Sequence, residues 1–197
     1  MRKNIVYNIL LSLSNILFPL VSFPYAARIL GPNGIGAAQF IFSYAQYFAL
    51  FAALGIPVYG IKEIAKANNE PIATKSTFVS LSSLFFITSI IASSLYIASI
   101  FLIPYFEPQQ NIYIITGILV LFSFTYIDWY YVGKGEFKTI TIRSVIVKAM
   151  ALILLYLFVK TPSDLYNYLG VLIFTILGNT AIPAASSLRF SVSCSIN

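Results

Sequence analysis

The sequence predicts an all-α polytopic membrane protein, a bundle of six transmembrane helices, and three observations predict it. Of its 197 residues 59% are hydrophobic and only 9% charged, whereas soluble domains carry roughly 25% charged residues. Mean hydropathy is +0.87, which excludes disorder, since a disordered chain needs low hydrophobicity. Apolar stretches of crossing length alternate with short charged or turn-forming segments. At ~25–30 residues per crossing and loop the length holds about six crossings.

The first helix follows Arg2 and Lys3 and occupies the uncharged stretch 4–27. A cleaved signal peptide fits poorly: the stretch exceeds the usual apolar region of roughly 7–15 residues, and Tyr25 stands where a small residue is wanted. Between Arg28 and Lys62 no residue is charged, but Gly31-Pro32-Asn33-Gly34-Ile35-Gly36 breaks the stretch, so the second helix should begin near Ala37. Lys62-Glu63-Ile64-Ala65-Lys66 reads as a short interfacial extension of it. The third helix is expected over 76–103, ending at the turn Pro104-Tyr105-Phe106-Glu107-Pro108, and the fourth over 112–131. The fifth, 144–159, carries Lys148, whose stem can snorkel to the interface. After Lys160-Thr161-Pro162-Ser163-Asp164 the sixth runs over 165–185. The expected organisation is a six-helix lobe, 1–185, and a short serine-rich cytoplasmic tail, 186–197.

Charge orients these helices. Arg2, Lys3, Lys62, Lys66, Lys75, Lys134, Lys138, Arg143, Lys148 and Arg189 fall in one set of alternate segments; Arg28 and Lys160 fall in the other. By the positive-inside rule both termini are cytoplasmic. The formal charge of +6 includes no basic cluster larger than a pair such as Lys62/Lys66 or Lys134/Lys138, so no nucleic-acid partner is expected. Without histidine and with a single cysteine, Cys194, the chain forms no internal disulfide and offers no zinc, haem or iron–sulfur ligand set. No histidine-dependent triad is possible and no serine–lysine spacing stands out. The expectation is a non-enzyme with no cofactor and no metal.

Helices that only anchor have no need of amides. On the first helix Asn4, Asn8, Ser12, Asn15 and Ser22 fall within about 80° of arc, and on the second Gln39, Ser43 and Gln46 fall within about 60°. Carboxamides facing lipid are costly, so both stripes should face protein or water. Two readings stand: hydrogen-bond glue between helices, or a hydrated cavity suited to sugars. Pro19 and Pro24 each remove a backbone donor, which predicts a bend near the outer end of the first helix. Arg28 follows, either as an interfacial anchor or as an anion ligand, since guanidinium binds phosphate bidentately. Asp128, at the inner end of the fourth helix, is either a cap and partner for the nearby lysines or a functional intramembrane carboxylate.

Three blocks resemble the bacterial polysaccharide flippases of the multidrug/oligosaccharidyl-lipid/polysaccharide exporter superfamily. They are Pro24-Tyr25 … Arg28-Ile29-Leu30-Gly31-Pro32 … Gly34-Ile35-Gly36, then Leu54-Gly55-Ile56-Pro57-Val58-Tyr59-Gly60-Ile61-Lys62-Glu63-Ile64-Ala65, then Asp128-Trp129-Tyr130-Tyr131 … Gly133 … Glu136-Phe137-Lys138 … Ile142-Arg143 … Lys148. The likeness extends to about Asn179. It implies a polyprenyl-pyrophosphate-linked oligosaccharide as cargo, moved across the cytoplasmic membrane by alternating access. In that reading Arg28, Asn8, Asn15, Gln39, Ser43 and Gln46 contact substrate, while Pro19, Pro24 and Asp128 serve structure or gating. Two features depart from the family: Val132 stands where an amide is usual, and members have two six-helix lobes and about twice this length. The expectation is therefore the amino-terminal lobe of such a transporter, truncated or working with a second lobe. The alternative is a non-transporting membrane subunit or an inactive fragment.

Overall fold

The computed structural model describes residues 2–67 and 70–193. Helix α1 covers Arg2–Ala53, α2 Ile56–Lys66, α3 Pro71–Leu102, α4 Gln110–Leu121, α5 Asp128–Gly133, α6 Phe137–Phe158 and α7 Leu165–Ser193. Short 3₁₀ turns, Pro104–Gln109 and Phe122–Thr125, precede and follow α4. No strand occurs among the described residues. Four segments are long and apolar enough to cross a bilayer: Asn4–Ala53, Pro71–Leu102, Gln110–Gly133 and Phe137–Phe158. The protein is an all-α polytopic membrane protein.

The longest of these, 50 residues, would measure about 75 Å if straight, more than twice the ~30 Å hydrocarbon core. It is not straight. Gly31 sits at φ 70°, ψ 175°, a conformation that side chains other than glycine's rarely adopt. Residues 2–30 and 32–53 are thus two arms of one broken helix. Pro32 opens the second arm, where its fixed φ suits a first helical turn and its missing N–H has no partner to lose. The second helix therefore begins at Pro32 rather than near Ala37, because one glycine takes the whole reversal. Pro19 and Pro24, where a bend was expected, keep helical φ/ψ. Their ring torsion is compatible with a helix, and each only deprives a carbonyl one turn back, that of Asn15 or Leu20, of its donor.

Cross-chain bonds give the directions. The first arm runs parallel to α6: Thr141 Oγ1 donates to the Tyr7 carbonyl (2.9 Å) and the Tyr25 hydroxyl to the Val159 carbonyl (3.0 Å). The second arm runs antiparallel to α3, with the Tyr44 hydroxyl donating to Ser99 Oγ (2.8 Å) and Thr88 Oγ1 to the Ala52 carbonyl (2.6 Å). Helices α3 and α4 are antiparallel too, through Tyr96–Thr116 and Ser89–Ser123. Ala26, Ala38, Ala45, Ala92 and Ala151 are buried, and small side chains of this kind let helix backbones approach.

Two expected boundaries move. Helix α6 begins at Phe137, a turn and more before Ser144, because Arg143 is buried against Asp128 inside the bundle while Lys138 stands on an exposed face of the helix. Helix α7 continues to Ser193, past Ala185, so no helix end marks the expected start of the tail. Cys194 and the side chains of Arg2, Lys3 and Arg189 lie outside the described residues.

At the end opposite the Gly31 turn, α2 packs on α5 almost backbone to backbone. A Cβ added at Gly60 would stand 2.4 Å from Trp129 Cε3, and one at Gly133 would stand 2.8 Å from Ile64 Cβ. The second and third of the family-like blocks thus meet each other. Leu54 (φ 43°) and Gly55 (φ 76°) form the left-handed turn that releases α2 from the second arm.

Candidate functional site

A polar seam runs between the first arm and α6. At the amino-terminal end of the arm Asn4 Nδ2 donates to the Gly135 carbonyl (2.9 Å). Midway along α6 the Lys148 ammonium donates to Asn15 Oδ1 and, at 3.2 Å, to Ser14 Oγ. Lys148 is half-buried and Asn15 exposed, so this cation sits at the accessible lip of the seam and does not snorkel away. Ser22 lies buried farther along the arm. Asn8 and Ser12 are exposed, turned away from the contacts within the chain.

The second cation is of a different kind. Arg143, on α6, is 4% exposed, and its Nη2 donates to Asp128 Oδ1. Nε and Nη1 are buried without a hydrogen-bond partner among the described residues. Asp128 therefore pairs with Arg143, not with Lys134 or Lys138. It opens the short α5, and the ion pair ties that helix to α6. A buried guanidinium held by one carboxylate is a fixed feature of the packing, whereas Lys148 is a cation within reach of a ligand.

The second stripe lies on the second arm. Gln39 is half-buried within hydrogen-bonding reach of the Tyr168 hydroxyl, while Ser43 and Gln46 are exposed. No hydrogen bond joins the two stripes among the described residues. Arg28 is exposed on the last turn of the first arm, and no described residue offers it an ion pair or hydrogen bond. The structure thus joins Asn15 to Lys148 and Asp128 to Arg143, and leaves Arg28, Asn8, Ser43 and Gln46 open.

Arg143 is the residue whose place the sequence reading missed, and Lys148, read correctly as part of a helix, is one whose partners Asn15 and Ser14 it missed. A signal for Arg143 was present: an acid and an arginine in neighbouring apolar spans, 15 positions apart, are cheaper to bury together than singly. Counting Arg143 and Lys148 with the loop charges overstated the bias, but eight basic residues still stand against two.

Comparison with known proteins now bears on this site. The family model described as polysaccharide biosynthesis protein matches residues 1–191. The chain belongs to that family. Two curated relatives of this polysaccharide biosynthesis family member, from Escherichia coli strain K12 and Shigella dysenteriae, each bear the name "Putative O-antigen transporter". They are 27% and 25% identical to it over 167 residues, which is 84% of this chain. The chain spans about 40% of the length of these relatives. No solved structure matches it. In this member of the polysaccharide biosynthesis family, the seam bonds the first arm to the α6 segment, while Asn8, Ser43, Gln46 and Arg28 are exposed on helices faced with apolar residues.

Proposed function

We propose that this chain is one six-helix lobe of a flippase that carries a polyprenyl-pyrophosphate-linked oligosaccharide across the cytoplasmic membrane. Its termini lie on the cytoplasmic side, and a second six-helix lobe completes the path. The observation that carries this reading is the set of exposed polar side chains, Asn8, Ser12, Ser43, Gln46 and Arg28, on helices otherwise faced with leucine, isoleucine and phenylalanine. Each sugar hydroxyl buried in hydrocarbon without a partner costs several kcal/mol. Amides and hydroxyls replace those bonds, and cations offset the diphosphate charge. Arg28 on the first arm and Lys148 on its neighbour α6 are both accessible cations, and we assign them to the anionic part of the cargo. The eight-to-two distribution of basic residues supports the orientation.

The test is export of lipid-linked sugar in cells that lack their own flippase, with this chain expressed beside the remaining part of a relative. Arg28→Ala should lower export about 10–100-fold, the worth of one or two hydrogen bonds to a charged group, at an unchanged level in the membrane. Export at the normal rate would remove Arg28 from the path. A chain that gives no export in any pairing yet crosslinks to a partner would be a non-transporting subunit.

A further inference from the structure

At the end of the bundle that holds the Gly31 turn, a cleft of about 470 Å³ opens between the second arm and the 3₁₀ turn after α3. Gly36, Ala37, Phe40, Tyr105, Gln109 and Tyr113 line it. We propose that this cleft is a carbohydrate subsite, which seats a neutral sugar of the cargo at the mouth of the amide stripe. The proposal rests on the transport reading above for its biological setting, but its chemistry stands on the cleft alone.

The rings provide apolar faces at an angle to one another. Phe40 and Tyr105 are 48% and 70% exposed, with centroids 6.0 Å apart and planes at 71°. Tyr113 is buried beneath them, held against Phe106 at 4.6 Å. Sugars present C–H faces that pack on such rings and hydroxyls around their rims. The polar groups are there to meet those hydroxyls: the Gln109 amide and the Tyr105 hydroxyl make no hydrogen bond among the described residues. No lining residue is charged, which disfavours a phosphate as the occupant; a choline head group, which aromatic rings hold by cation–π attraction, is the competitor that the phosphocholine control separates. The volume falls in the range of small-molecule sites, roughly 300–1,000 Å³.

The cleft owes its depth to Gly36, since nothing lies within 4 Å of the place a Cβ would occupy. A belt of interfacial aromatics would account for the rings alone. It would not account for a glycine and an alanine beneath them or for an open amide opposite. On the second arm Gly36, Gln39, Phe40, Ser43 and Gln46 share about 120° of one face. The cleft is therefore continuous with the stripe assigned to the cargo's hydroxyls.

Gly36→Leu tests this without threatening the fold. The backbone there is helical, the space is empty, and a leucine is a better helix residue than glycine. The full chain in lipid nanodiscs is studied by saturation-transfer NMR with three neutral probes: maltotriose, tri-N-acetylchitotriose and mannotriose. Transfer to ring C–H protons of at least one is expected. Gly36→Leu should reduce it at least about fivefold by filling the cleft, and Tyr105→Ala should weaken affinity about tenfold by removing a ring. Absence of transfer to all three, transfer unchanged in Gly36→Leu, or equal transfer to glycerol or phosphocholine would overturn the proposal. Binding that depends on Gly36 in a chain that exports nothing would keep the subsite and end the transport reading. Export at the normal rate with sugar contact unaltered by Gly36→Leu would do the reverse.

Discussion

The Asp128–Arg143 pair and Lys148 show how differently the ions of one membrane helix bundle can be used. The side chains of Asp128 and Arg143 are 17% and 3% exposed, and the arginine's remaining nitrogens have no described partner. Taking away one member of such a pair strands a charge in a poorly solvating interior. Asp128→Ala should therefore destabilise the chain in detergent by about 3–5 kcal/mol, read from thermal or denaturant unfolding. Replacing both, Asp128→Leu with Arg143→Met, should recover most of that loss, because an apolar pair of similar volume has no desolvation penalty. If the double variant is as unstable as the single one, the ion pair is not what holds α5 to α6. If it is stable but export falls, the carboxylate has a functional role beyond packing. Lys148 differs in each respect that matters: it is half-buried, bonded to neutral Ser14 and Asn15, and next to exposed side chains.

At the scale of the element, Gly31 decides whether α1 is one rod or two. Any residue with a Cβ must hold its φ of 70° against steric strain, so Gly31→Ala should cost about 1–3 kcal/mol. Five residues on, Gly36 is ordinary helix with open space around it, and Gly36→Ala should stabilise by about 0.5–1 kcal/mol. Opposite signs for the same substitution in one segment, measured by unfolding of both variants, are the expected outcome; equal effects would remove Gly31 as the hinge. The sequence reading recognised that a break lies in this segment but spread it over six residues. It could not choose among Gly31, Gly34 and Gly36, because composition marks permissive positions and only tertiary contact selects the one that turns. The same limit applied to the prolines, which signal a lost donor and not a change of direction. It applied again to α6, where Arg143 looks like a loop residue until its partner Asp128 is known. Hydropathy was sufficient for the all-α class and for the order of the long apolar helices, since those depend on local sequence alone. Which stripe residues are open and which are bonded depends on α6 and α7, brought beside them from more than a hundred residues away.

For the whole molecule, the contrast in coverage between helices is the guide. The most apolar stretch of α1 is 6% buried, against 44% for that of α6, so the first arm stands at an edge of the bundle. Its open side is not purely apolar, since Asn8, Ser12 and Asn15 are exposed there beside Ile9, Leu13 and Ile16. Lipid can cover the apolar residues but not the amides at tolerable cost. Water in a cavity, walled on its far side by a second lobe, satisfies both. Single cysteines placed at Asn8, Ser43 and Gln46, in a chain whose Cys194 is replaced by serine, should react with a charged, membrane-impermeant thiol reagent in native membranes. Cysteines at Ile91 and Leu95, exposed on α3 among apolar neighbours, should not. Protection of all three polar positions would place the stripes against lipid or tightly packed protein, and the hydrated path would have no surface left to run along. Labelling of the polar positions alone, blocked by the lipid-linked sugar, would make the first and second arms one wall of that path.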